Sequence, residues 1–150
     1  MLFVDSDDYV HPRLLEKTLS VAEAENCDVV MFNAVAVDEK DAQGVFYRFN
    51  LPSNTLLEGT ALKQFATLSG VWNRLWRRQL FVDHDVRFPL RVWYEDLCFP
   101  IMLAPYFKKA YYLDCEPLYY YLQRQGSTMH TPNFERITRE RIAVGEAVQR

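Results

Sequence analysis

The chain opens on Met1-Leu-Phe-Val-Asp-Ser-Asp-Asp-Tyr9, an apolar run that stops abruptly at three carboxylates. Four consecutive apolar residues read as a short buried strand. In open α/β sheets, ligands bind in the crevice beyond the carboxyl ends of the strands, which is where Asp5, Asp7 and Asp8 would then lie. Carboxylates this close repel one another unless a divalent cation or a proton neutralises them. The opening therefore predicts an α/β protein with a metal or acid/base site at the end of its first strand.

The rest of the chain alternates in the same sense. Pro12 suits the first turn of a helix, and Leu15, Leu19 and Ala22 follow at i, i+4, i+7 as its apolar stripe, with an end near Asn26. Residues 28–37 are rich in β-branched side chains and read as one buried strand. Val45 to Phe49 is expected to return antiparallel after a polar turn that includes Gly44. Glu58 to Leu68 and Trp72 to Phe81 read as helices separated at Ser69-Gly70. Arg87-Phe-Pro89 opens a loop leading to Glu95-Asp96, whose acids suit the start of an apolar helix reaching about Ala104. Ala110 to Leu113 and Pro117 to Leu122 read as strands, 123–131 as a loop, and a helix from about Asn133 closes the chain. No repeat, low-complexity stretch or linker divides it, so 1–150 is expected to be a single domain.

Composition removes several classes of function. A formal net charge of -3 supplies no attraction for nucleic acid, although Trp72-Asn-Arg-Leu-Trp-Arg-Arg78 is locally basic and aromatic. Cys27, Cys98 and Cys115 are odd in number and contain no CxxC pair, which suggests neither a disulfide framework nor a zinc site and fits a reducing compartment. No stretch is long enough to span a bilayer, and acids interrupt the N-terminus too early for a signal peptide. The expected location is the cytoplasm, with peripheral attachment at the inner face of the membrane compatible with the sequence. The aromatic fraction is 15%, concentrated between Phe99 and Tyr121, where it can serve as core, as an acceptor groove or as a surface for another segment.

Several chemistries use paired acids after an apolar strand. An EF-hand loop would place Asp5 and Asp7 at its first and third positions and Glu16 at its twelfth. Val10, however, stands where the sharp turn needs glycine, and Pro12 would start a helix inside the loop. A haloacid dehalogenase-like phosphohydrolase would use Asp5 as nucleophile and Asp7 as acid/base, but Asp8-Tyr9 replaces the small residue and the Thr or Val expected next.

The later motifs point elsewhere. Leu2-Phe-Val-Asp-Ser-Asp-Asp-Tyr-Val-His-Pro12 resembles the DxD segment of family 2 glycosyltransferases. Val71-Trp-Asn-Arg-Leu-Trp-Arg-Arg-Gln-Leu-Phe81 resembles the segment that follows it in that family, Arg87-Phe-Pro89 with Tyr94-Glu-Asp-Leu97 its Glu-Asp motif, and Tyr119-Tyr-Tyr121 with Arg124 and Gly126-Ser127-Thr128 its closing strand and loop. The four segments keep the family's order over most of the chain.

The resemblance implies a GT-A, Rossmann-like α/β fold and a metal-dependent, inverting sugar transfer from a nucleotide-diphosphate sugar, a UDP-sugar in particular, to a saccharide or lipid-linked acceptor. Mn2+ or Mg2+ would stabilise the departing diphosphate as a Lewis acid. Asp7 is the implied metal ligand, and Asp5 would help hold the metal or the ribose. Arg124, Ser127 and His130 would contact the donor's phosphates. Asp96 is the implied base that takes the acceptor proton. Glu95, Asn73, Arg74 and Trp93 would line the acceptor site, and Trp72, Trp76 or Trp93 could stack on a sugar ring. The family's strands for base and ribose normally precede the DxD strand, so the chain reads as a partial fold: the metal-binding turn plus the acceptor half. Weak or absent activity in isolation is expected, as is a homodimer through an exposed sheet edge. A non-catalytic interaction module derived from a truncated transferase is the rival outcome. Assembly of surface polysaccharide, lipopolysaccharide or teichoic acid is the implied context.

Overall fold

The computed structural model describes residues 1–38, 40, 43–68, 70–88 and 98–124. In chain order its elements are β1 (Tyr9–Val10), α1 (Leu14–Ala24), β2 (Val29–Phe32), β3 (Ala34–Asp38), β4 (Gln43–Tyr47), β5 (Thr55–Leu57), α2 (Gly59–Thr67), β6 (Arg74–Trp76), α3 (Arg78–Asp83), α4 (Cys98–Leu103), β7 (Ala110–Leu113) and β8 (Tyr119–Gln123). The architecture is α/β, with two mixed sheets of order β5-β7-β2-β6 and β1-β8-β3-β4.

The apolar stretch expected as one strand over 28–37 serves both sheets. β2 pairs parallel with β7 and antiparallel with β6, whereas β3 pairs parallel with β8 and antiparallel with β4. Asn33, fully buried, sits at the switch between them. Its amide donates to the Asp114 carboxylate (2.8 Å) and to the Cys115 carbonyl (2.7 Å), and its Oδ1 accepts the Tyr112 hydroxyl (2.6 Å). Its carbonyl accepts the Leu118 N–H at 2.9 Å. A buried polar group must find partners or cost the fold its desolvation energy. Here those partners all come from the β7–β8 connection or its flank, so β7 and β8 change sheets in step with β2 and β3.

Part of the aromatic content of the 99–121 region supplies core, since Phe99, Phe107, Tyr112 and Tyr119 are buried, while Tyr106 is exposed. The main cluster packs Phe65, Trp76, Phe81, Phe99, Leu103 and Tyr112 together. Rings such as Phe65 and Phe107 meet edge to face at 5.6 Å, the arrangement their quadrupoles favour.

The structure differs from the sequence reading in three places. Residues 1–5 form no regular strand. Met1 exchanges backbone hydrogen bonds with Trp76, the Trp76 N–H reaching its carbonyl at 2.8 Å, and Phe3 then turns its ring against Phe81, Phe88 and Phe99 while Val4 is exposed. The run is held by a ring in the core rather than by a ladder. In α1 the buried stripe is Leu14 and Thr18, with Leu15 52% and Leu19 44% exposed. Thr18 is tolerated inside because its hydroxyl donates to the Leu14 carbonyl (2.8 Å), a satisfaction that counting apolar residues overlooks. Finally, Arg74–Trp76, expected as helix, is a strand registered on Met31, Val30 and Val29. Ladder bonds and burial of three consecutive side chains outweigh local propensity there. The other described elements follow the expected order, except β1 and β5, two and three residues long, for which there was no expectation.

Candidate functional site

The acid segment is a tight turn, not an extended strand: the Asp8 N–H donates to the Asp5 carbonyl at 3.1 Å. Asp5, Ser6 and Asp7 are exposed, and Asp8 is half-buried. The turn, rather than the end of a strand, therefore sorts these acids.

Strand β8 holds this turn at several points. The Tyr119 hydroxyl accepts the Asp5 N–H (3.1 Å) and donates to Asp8 Oδ2 (2.6 Å). The Leu122 N–H donates to Asp8 Oδ1 (2.8 Å). At the end of the strand, the Arg124 guanidinium pairs with the Asp7 carboxylate across 117 positions of sequence.

Electrostatics separates the carboxylates further. The Arg124 hydrogen bond holds the Asp7 carboxyl below the usual carboxylate range, so Asp7 is a carboxylate at neutral pH. Burial pushes Asp8 upward, partly offset by the Tyr119 and Leu122 hydrogen bonds. The Tyr119 hydroxyl is raised well above a free phenol, first by burial and then by its bond to Asp8, and stays a donor. Asp8 thus has both oxygens committed to the fold, while Asp7 presents an exposed, ionised carboxylate.

Among the described residues no cluster of three or more His, Cys, Asp or Glu side chains could hold a metal ion. A closed protein-only centre does not fit this donor set. An ion that keeps most of its waters and takes one or two carboxylates plus substrate phosphates does fit it, which is the habit of Mg2+ with nucleotides. Asp7, with Asp5 two residues away, supplies hard oxygen ligands of that kind.

The remaining candidates divide by position. Arg74 is fully buried, donating to the carbonyls of Gly70 (2.8 Å) and Leu68 (2.7 Å), with its guanidinium over Phe65 (4.8 Å) and Trp76 (5.6 Å). Asn73 is buried beside it, its carbonyl accepting the Phe32 N–H at 3.1 Å and its Oδ1 finding no hydrogen-bond partner among the described residues. Trp76 is core. Trp72 is half-buried and leans on β8, its ring 4.8 Å from that of Tyr119 and stacked at 12° on that of Tyr121, with Tyr47 edge-on at 6.1 Å. Trp93, Glu95, Asp96, Ser127 and His130 lie outside the described residues. The sequence reading took Tyr119 only as part of the Tyr119–Tyr121 run; strand alternation, which groups it with Tyr121 and apart from Tyr120, is the signal that could have separated it.

No family model matches the chain. Two curated relatives, the poly(ribitol-phosphate) beta-N-acetylglucosaminyltransferases TarS of Staphylococcus aureus strains Mu50 and MW2, are each 26% identical to it over 130 residues. That alignment takes in 86% of this chain and 22% of each relative, so the chain spans about a fifth of their length. A crystal structure of S. aureus TarS residues 1–349 in complex with UDP-GlcNAc superposes with a TM-score of 0.69 at 26% identity, covering 87% of this chain and 36% of that one. The corresponding complex with UDP gives a TM-score of 0.65 at 24% identity, over 81% of this chain and 35% of that one, a likeness of fold. The chain is a distant homologue of TarS, a family 2 glycosyltransferase of the GT-A fold, over most of its own length.

Proposed function

We propose that this chain forms the metal-binding turn and acceptor half of an inverting glycosyltransferase that moves a sugar from a UDP-sugar to a hydroxyl of a saccharide or lipid-linked acceptor. The meeting of Asp7 and Arg124 carries the reading. An ionised carboxylate and a guanidinium, far apart in sequence, converge on one exposed point at the end of the half-buried strand β8. A diphosphate bound through a divalent ion asks for that combination: a hard oxygen ligand for the ion and a planar cation for phosphate oxygens. Homology to an enzyme solved with UDP-GlcNAc supports the same assignment.

Mn2+ or Mg2+ bound at Asp7 would neutralise charge building on the leaving diphosphate. Asp5 orients the donor's ribose or the waters around the ion, and Arg124 takes phosphate oxygens, joined by Ser127 and His130. On the other side of the sugar, Asp96 accepts the proton of the acceptor hydroxyl as its oxygen bonds to the anomeric carbon. The bond from that carbon to the diphosphate oxygen breaks on the opposite face, inverting the configuration. Glu95 and Trp93 orient the acceptor, and Trp72 offers a half-buried ring next to the turn. The buried positions of Asn73 and Arg74 suit support of that wall better than contact with sugar.

Calorimetric titration of UDP with Mn2+ into the chain and into Asp7→Ala tests the assignment. Binding heat in the first and its loss in the second are expected. Equal heats would remove Asp7 from the metal site.

A further inference from the structure

We infer that Tyr119 and Asp8 act as a positioning pair that sets the direction of the Asp7 carboxylate, and that Asp8 takes no part in holding the metal; this rests on the transferase reading above. One buried hydroxyl grips both ends of the turn, accepting the Asp5 N–H at 3.1 Å and donating to the Asp8 carboxylate at 2.6 Å. The residues between those two points, Ser6 and Asp7, are exposed, as is Asp5. Fixing the ends of a four-residue turn fixes the departure of the side chains between them. The second Asp8 oxygen is taken by the Leu122 N–H at 2.8 Å, which ties the turn to the same strand that delivers Arg124 to Asp7.

A carboxylate with both oxygens accepting hydrogen bonds in a half-buried place is poorly available to an ion. Of the three acids, Asp8 thus works through Tyr119 on the geometry of Asp7. Groups that orient a metal ligand without touching the metal commonly change metal affinity about 10-fold to 100-fold when removed. Tyr119→Phe keeps the ring that packs against Trp72 and removes only the hydroxyl.

The test measures UDP affinity with and without Mn2+ by calorimetry for the wild type, Tyr119→Phe and Asp8→Asn. Leu103→Ala, a core change in α4 remote in sequence from the turn, is the stability control. In Tyr119→Phe the gain in UDP affinity brought by Mn2+ should shrink about 10-fold. Asp8→Asn should retain more of the gain, because an amide oxygen can still accept one of the two hydrogen bonds. Leu103→Ala should lower the melting temperature and leave the gain intact. A wild-type Mn2+ gain in Tyr119→Phe would overturn the positioning role while leaving the transferase reading in place. A wild-type chain that binds no UDP at any Mn2+ concentration would overturn both.

Discussion

Asn33→Ala should be among the most costly single changes in this fold, and its cost can be worked from the bonds it breaks. The side chain makes three: two donated, to the Asp114 carboxylate and the Cys115 carbonyl, and one accepted from Tyr112. Loss of a neutral hydrogen bond costs about 1 kcal/mol and of one to a charged group about 1.5–3 kcal/mol, and a buried hydroxyl left without an acceptor adds about 1–3 kcal/mol. Allowing for relaxation, the total is about 4 kcal/mol, or a fall of about 8–16 °C in Tm for a chain of this size. Tyr112→Phe removes the hydroxyl, which also accepts the Phe49 N–H at 3.1 Å, and should cost less, about 1–3 kcal/mol. The double variant no longer strands the hydroxyl, so its cost should fall short of the sum by about 1–2 kcal/mol. Urea denaturation followed by circular dichroism gives all three values. Additivity within about 0.5 kcal/mol, or a cost below about 1 kcal/mol for Asn33→Ala, would refute the view that this amide fastens the two sheets.

Two further outcomes follow from particular side chains. Arg48, and after it Asn33, hold the Asp114 carboxyl below its unfolded value. Its stabilisation is full above the ordinary carboxylate range near ~4 and is lost as pH falls through the folded value. The Tm gap between wild type and Asp114→Asn should therefore hold above about pH 5 and narrow as pH falls below about 4, and a gap that stays constant through that fall would contradict the assignment. In α1, Leu14→Ala should cost about 2–5 kcal/mol in a urea melt. Leu15→Lys should stay within about 0.5 kcal/mol, and equal costs would mean the helix faces the other way.

Much of this was legible in the sequence, for reasons that individual residues make plain. The stretch 28–37 announces a buried strand because β-branched residues have few other uses at that density. The division at Asn33 was hidden, since only the partners supplied by Tyr112, Asp114 and Cys115 reveal why one amide sits in the middle of an apolar run. The phase of α1 is not legible from Leu15, Leu19 and Ala22, because a threonine bonded to its own helix, here Thr18, behaves as a core residue. Arg74 looked like a pocket cation beside Asn73. Its actual surroundings, two carbonyls and two aromatic faces, are contributed by segments whose approach no local pattern encodes. The acid turn was readable as a cluster of ligands, and family order tied it to Arg124. Which acid is structural became visible only when β8 was placed beneath it.

The way β2 runs into β3 also bears on how the turn can fail. One uninterrupted stretch of backbone, 29–38, crosses both sheets, and β7 and β8 cross with it. The opening segment is tied to β6 of one sheet through Met1 and to β8 of the other through Asp5 and Asp8. Neither sheet can then fray alone without pulling on its neighbour, so the amides of Val30 and Val35 belong to one cooperative opening unit. The acid turn, although exposed, is denied the cheap local unfolding that most surface turns enjoy. Its carboxylates keep their places for as long as the whole domain does.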